Sequence, residues 1–234
     1  GVQTCALPIS PLSTLIGFIE TLRGPARDDA KAQERFLGLM AAQAERMARL
    51  VNDLLALSSI ELVEHAPPTA PVALAPIARN AAQALEMKAG ARKMKIEVVV
   101  ADDLPMVAGD AEQLAQLIQN LLDNAVKYGA AGTAVTLKLA TAAPPPAMSG
   151  QTPGQAKVVA LSVTDRGDGI PPEHLPRLTE RFYRVDSARS REAGGTGLGL
   201  AIVKHIVGRH RGYLDIESTV GVGSTFTAYL PAKS

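Results

Sequence analysis

Apolar positions follow two different rhythms along this chain, and the change from one to the other near residue 71 divides it. From Pro11, a residue suited to a first helical turn, Leu12, Leu15, Ile16, Ile19 and Leu22 recur at helical spacing until Arg23-Gly24-Pro25 ends the pattern. Asp28 or Asp29 can then cap a second, longer helix in which Phe36, Met40, Gln43, Met47, Leu50, Leu54 and Leu57 are spaced alternately four and three apart. Two helices joined by a short turn cannot bury such a seam between them. The pattern therefore predicts a helical hairpin that pairs with a second copy as a homodimeric four-helix bundle, the alternative being burial against the chain's own second domain. Residues 61–71, with Glu61, Glu64, His65, Pro67 and Pro68, break the rhythm and read as a linker.

Beyond the linker the pattern mixes strands with helices and predicts an α+β domain over residues 72–234. Val72 to Leu74 reads as a short strand, Ala75 to Gly90 as an Ala-rich helix and Lys95 to Val100 as a strand. A short strand and turn at Met106 to Asp110 lead into a helix that Asp110 can cap and that runs to about Tyr128. Thr133 to Thr141 and Val158 to Asp165 alternate as strands, and Tyr213 to Ser218 with Ser224 to Leu230 should form a closing hairpin. Two stretches lack pattern. Ala142 to Ala156, rich in Pro, Gly and small residues, reads as a long mobile loop without chemistry of its own, and the polar run Asp186 to Ala193 as a mobile lid over a ligand.

Composition narrows the function classes. The 234 residues suit one or two domains, and 47% hydrophobic content is enough for a core. No apolar run approaches the roughly 18 residues of a membrane span, so no membrane contact is expected of these residues. A net charge of +1, 3% aromatics and no Trp leave nothing to hold nucleic acid. Cys5 is the only cysteine, and His65, His174, His205 and His210 show no metal-ligand spacing. Residues 1–10 read as foreign to the rest, because Val2 to Ser10 resembles one translated frame of a common sequencing-library adapter.

Three stretches carry candidate chemistry. On the helix before Tyr128, Leu114, Leu117, Ile118, Leu121 and Ala125 form the apolar face, while Gln116, Asn120, Asn124 and Lys127 share another. Asparagine is a middling-to-poor helix former, so two of them one turn apart suit a purpose: an amide oxygen can ligate Mg²⁺ while a lysine meets phosphate. At Asp165-x-Gly167-x-Gly169, a carboxylate at a strand end beside bare backbone can accept from an amino group on a planar ligand. Gly194-Gly195-Thr196-Gly197-Leu198-Gly199-Leu200 then runs into the helical pattern Ala201 to Val207, and a glycine-rich entry to a helix start can cradle phosphate.

Taken together and in order, Asn120-Leu121-Leu122-Asp123-Asn124-Ala125-Val126-Lys127-Tyr128, Asp165-x-Gly167-x-Gly169, Arg181-Phe182-Tyr183-Arg184, Gly195-Thr196-Gly197-Leu198-Gly199-Leu200 and Gly221-Val222-Gly223-Ser224-Thr225 resemble the N, G1, F, G2 and G3 boxes of two-component sensor histidine kinases. The likeness covers Val72 to the C-terminus, and residues 11–60 resemble the family's dimerisation and phosphoacceptor hairpin, in wording similar to phosphate-regulon sensor kinases. It implies a Bergerat-type α/β sandwich that binds ATP and Mg²⁺, with phosphoryl transfer to a histidine and then to an aspartate on a response regulator receiver domain. Asn124 would ligate Mg²⁺ with Asn120 assisting, Lys127 would lie on the phosphates and Tyr128 against the nucleoside. Asp165 would receive the adenine amino group, with Gly167 and Gly169 beside it. Gly195, Thr196, Gly197, Leu198 and Gly199 would hold phosphate together with Thr225, and Arg184 would stabilise charge as the γ-phosphoryl leaves.

One departure bears on activity. The family's first helix carries His-Glu-Leu-Arg-Thr-Pro, and if Pro11 matches its proline, Ala6 and Leu7 stand where the acceptor histidine and its acidic neighbour belong. The expectation is a cytoplasmic catalytic core, from a parent anchored in the bacterial inner membrane, that binds nucleotide but does not phosphorylate itself. A histidine-less pseudokinase acting as a dimeric nucleotide-binding scaffold remains the alternative. An ATPase of the gyrase or Hsp90 kind fits less well, because those families place a Glu base where Asn120 stands.

Overall fold

The computed structural model describes residues 9–62, 66–148, 157–185 and 195–233, and the chain divides into two compact units, residues 1–54 and 55–234. In the first, helix α1 (Ile9–Arg23) turns back into helix α2 (Ala30–Leu62). Asp29 caps α2 by accepting from the Ala32 amide at 3.0 Å, and Phe18 packs against Phe36 with ring centroids 5.5 Å apart. The hairpin buries only part of its apolar surface. Leu12, Ile16 and Ile19 of α1 stay 51%, 49% and 41% exposed along one stripe, and Leu37, Val51 and Leu54 of α2 are also exposed.

The second unit is a two-layer sandwich. Its mixed sheet has strand order β2-β4-β5-β7-β6, comprising β2 (Lys95–Val100), β4 (Ala134–Ala142), β5 (Val158–Asp165), β6 (Tyr213–Thr219) and β7 (Gly223–Pro231). All pairings are antiparallel except β2 with β4. Helices α3 (Leu74–Ala91), α4 (Ala111–Tyr128) and α5 (Gly199–Arg209) form the other layer. Two short strands, β1 (Pro71–Val72) and β3 (Val107–Ala108), pair separately. Leu114, Leu117, Ile118, Leu121 and Leu122 of α4 are fully buried, as are Leu137, Leu139, Leu161 and Val163 of the sheet. Each such side chain contributes roughly 1.5–3 kcal/mol of burial, so this layer contact carries the unit.

Three expectations need correction. The segment assigned to a linker begins inside α2: Leu57 and Ile60 are buried, and Glu61 binds Arg181 and lies 3.5 Å from His205, so the last turns of α2 belong to the second unit. The loop after β4 has a 3-10 turn at Pro146–Met148 whose Met148 is fully buried, because an apolar side chain there finds core to enter. Helix α1 starts at Ile9 rather than Pro11, while residues 1–8, including Ala6 and Leu7, lie outside the described residues, as does His65.

Candidate functional site

Five chain segments meet over one hollow of the second unit, about 220 Å³ in volume. Helix α4 supplies the first wall. Asp110 caps it by accepting from the Glu112 and Gln113 amides at 3.1 and 3.2 Å, and its opposite end is held by Arg92, which reaches across from α3. That guanidinium donates to the carbonyls of Val126, Lys127 at 2.7 Å and Gly129 at 3.0 Å, satisfying oxygens that the helix end would otherwise leave bare. Arg92 is a residue that periodicity could not single out, since nothing in its neighbourhood predicts a partner more than thirty positions away. Fixed at both ends, α4 presents Asn120, Asn124, Lys127 and Tyr128 to the hollow.

The floor comes from the end of β5 and from β7. Asp165 is 6% exposed and accepts from the Gly167 amide at 2.8 Å. Burial raises its pKa above the ordinary carboxylate value, and the backbone N–H groups of Gly167 and Ser224 offset this only in part. A buried carboxyl that is short of donors suits a ligand bringing an amino group. Gly169 follows at φ +70°, its position pressed against the Thr219 carbonyl, so no side chain fits there.

The third wall joins Arg181-Phe182-Tyr183-Arg184 to the start of α5. The Phe182 amide donates to the Gly197 carbonyl at 2.8 Å, and Gly197 at φ +77° lets the two backbones meet, since a Cβ there would lie 3.0 Å from the Phe182 Cα. Arg184 donates to the Gly195 carbonyl at the rim. The Thr196 hydroxyl accepts from the Leu198 amide at 3.2 Å, which leaves the first turn of α5 facing the hollow through Gly199 and Leu200. Tyr183 lines the same wall, its hydroxyl 2.6 Å from His174 Nδ1 and its ring under the Arg177 guanidinium at 4.3 Å.

Of the residues expected at the site, Asn120, Asn124, Lys127, Tyr128, Asp165, Gly169, Arg184, Gly195, Thr196, Gly197 and Gly199 line this hollow. Three do not. Gly167 acts from behind through its hydrogen bond to Asp165, and Leu198 is fully buried in the core. Thr225 is turned to the other face of the sheet, where its hydroxyl meets that of Thr164 at 3.0 Å, because strand alternation gives the hollow Ser224 and Phe226 instead. The expected lid, Asp186 to Ala193, lies outside the described residues.

The donor set suits a hard cation carried in by an anionic ligand. Asn120 lies under the start of α5, and its buried Nδ2 has no hydrogen-bond partner, so the site leaves one N–H donor open to an anionic ligand, while its amide oxygen is the atom a cation could take. Among the described residues no group of three His, Cys, Asp or Glu side chains could hold a metal alone. Amide oxygens from Asn120 and Asn124 with ligand phosphates and water are what Mg²⁺ accepts.

The fold and this hollow define a nucleotide-binding α/β sandwich, and the comparisons agree. The chain belongs to the histidine kinase-, DNA gyrase B- and HSP90-like ATPase family, whose model matches residues 109–234. Ahead of it, the His Kinase A (phospho-acceptor) domain model matches residues 10–62, giving the domain pair of a sensor histidine kinase. The phosphoacceptor domain is therefore present, which corrects the expectation that its segment is missing, although the sequence has no histidine between residues 10 and 62. The chain is 40% identical to the phosphate regulon sensor protein PhoR of Pseudomonas aeruginosa, across 96% of this chain and 48% of that protein. It is 34% identical to the sensor-like histidine kinase SenX3 of Mycolicibacterium smegmatis, across 95% and 54%. It thus spans about half the length of the curated relatives it matches. Among solved structures, full-length ShkA in complex with AMPPNP superposes with a TM-score of 0.67 at 25% identity, covering 96% of this chain and 44% of that one. No described helix is long and apolar enough to cross a membrane.

Proposed function

We propose that this chain is the ATP-binding core of a two-component sensor histidine kinase of the phosphate-regulon kind, working with Mg²⁺ and as a homodimer. The observation that carries the reading is convergence: two helical asparagines, a lysine, a buried donor-poor carboxyl, an arginine and an open helix start line one hollow. Asp165 takes the amino group of adenine, and Asn120 and Asn124 offer amide oxygens where the metal would sit. Mg²⁺, when bound, would neutralise charge on the phosphates. The first turn of α5 offers unpaired N–H groups to phosphate oxygens, and Arg184 meets charge that develops as the terminal phosphoryl departs.

The parent protein then passes the phosphoryl group from a histidine to an aspartate of a response regulator receiver domain, on the cytoplasmic side of the bacterial inner membrane. This chain, with Ala6 and Leu7 where the acceptor and its acidic neighbour are expected, binds nucleotide without labelling itself. Incubation with γ-labelled ATP tests this. Nucleotide binding without acid-labile, base-stable label is expected, and Ala6→His with Leu7→Glu should gain label. Failure to bind ATP would end the reading, and label on the unaltered chain would end its inactivity.

A further inference from the structure

Asp123 is the one carboxylate of α4 that lines the hollow, and it stands between two lysines. Its Oδ2 lies 2.5 Å from Lys127 Nζ one turn along the same helix, and its Oδ1 accepts from Lys88 of α3. The three side chains differ in access: Lys127 is 17% exposed, Asp123 26% and Lys88 47%. Lys88 does not line the hollow; its role can reach a ligand only through Asp123 or through its general charge.

We propose that Asp123 and Lys88 set the affinity for nucleotide by controlling Lys127: Asp123 holds the Lys127 ammonium, and Lys88 is the second cation that lets Asp123 release it to a polyphosphate. The inference rests on the reading of the hollow as a nucleotide site. An anion entering beside Asp123 meets a like charge and must compete with it for Lys127. Were Lys127 the only partner, its departure would strand a half-buried carboxylate against phosphate. Lys88 keeps that carboxylate paired from the side away from the hollow. Asp123 is thus a brake on binding, and Lys88 is a positioning residue that weakens the brake.

The test is a double-mutant cycle on nucleotide affinity, read by calorimetry with Mg-ATP and with Mg-ADP at about 0.15 M salt, where long-range charge effects are largely screened. Asp123→Asn should tighten ATP binding about three- to tenfold, and Lys88→Met should weaken it by a similar factor. In the Asp123→Asn background, Lys88→Met should change affinity less than about twofold. If Lys88→Met weakens binding equally in both backgrounds, Lys88 acts only through its own charge and the proposal is overturned; it is overturned too if Asp123→Asn weakens binding while its thermal unfolding stays like the parent's. A thermal loss in Asp123→Asn moves the question to Asp123→Ser, for which the same tightening is required. No binding of either nucleotide to the unaltered chain would instead defeat the nucleotide reading itself, whereas normal binding with an additive cycle defeats only this inference.

Discussion

Asp165 concentrates the conflict between stability and function in one side chain. Its folded-state pKa is raised, so the proton is held more tightly in the folded chain than in the unfolded one. The stability this gives is present below the ordinary carboxylate value and is lost as pH rises through the folded value, leaving an unfavourable buried charge at neutral pH. Asp165→Asn should therefore raise the unfolding midpoint at pH 7, with the gain fading as pH falls, while ATP affinity drops about 10- to 100-fold, because the amide oxygen stays on the Gly167 N–H and the amide nitrogen cannot accept from the ligand. Denaturation curves across pH with parallel calorimetry check both halves. His210 works in the opposite sense. It is 3% exposed, its Nε2 accepts from the Asp110 amide at 3.0 Å and its Nδ1 donates to the Ile206 carbonyl at 2.7 Å, which fixes one neutral tautomer and ties α5 to the cap of α4. Burial lowers its pKa, and the Ile206 carbonyl opposes that only in part. Stability from this residue is complete above the ordinary histidine value of about 6.5 and falls as pH drops toward the folded value. A His210→Gln variant should flatten the acid side of the pH–stability curve below about pH 6.5, measured by urea unfolding.

Among the elements, α4 is the one on which the site depends. Its apolar face was readable from spacing, as was its cap at Asp110, because both are set by residues within a few positions of each other. Its far end was not readable, since Arg92 arrives from α3 to bind three carbonyls. Arg92→Ala should cost about 2–3 kcal/mol in stability, speed hydrogen exchange at Val126 to Tyr128 and weaken nucleotide binding by loosening Lys127. Arg92→Lys should recover little, because an ammonium cannot span three acceptors as a guanidinium does. Strand β7 teaches a similar lesson. The glycine-rich stretch before it drew attention to Thr225, yet the pairing of β7 with β5 decides which side each residue faces, and it places Ser224 and Phe226 at the hollow.

For the whole molecule, the exposed stripe Leu12, Ile16 and Ile19 is the surface on which the proposed dimer would close. Ile16→Glu should convert a dimer into a monomer in light scattering and leave ATP affinity unchanged, because every residue lining the hollow belongs to the second unit. Equal mass for both proteins would remove the dimer from the proposal.

Sequence by itself determined the element order, the two-part architecture, the cap at Asp110, a cap for α2 at Asp28 or Asp29, and most of the residues that line the hollow, since each depends on spacing along a few turns or strands. Tertiary structure decided what spacing cannot encode: that the end of α2 joins the second unit through Leu57, Ile60 and Glu61, that Arg92 closes α4, that Thr225 faces away, and that Lys127 rests on Asp123. The physical reason is common to all four. Burial, charge pairing and the face of a strand depend on which distant segments meet, and a chain read in one dimension does not contain those distances.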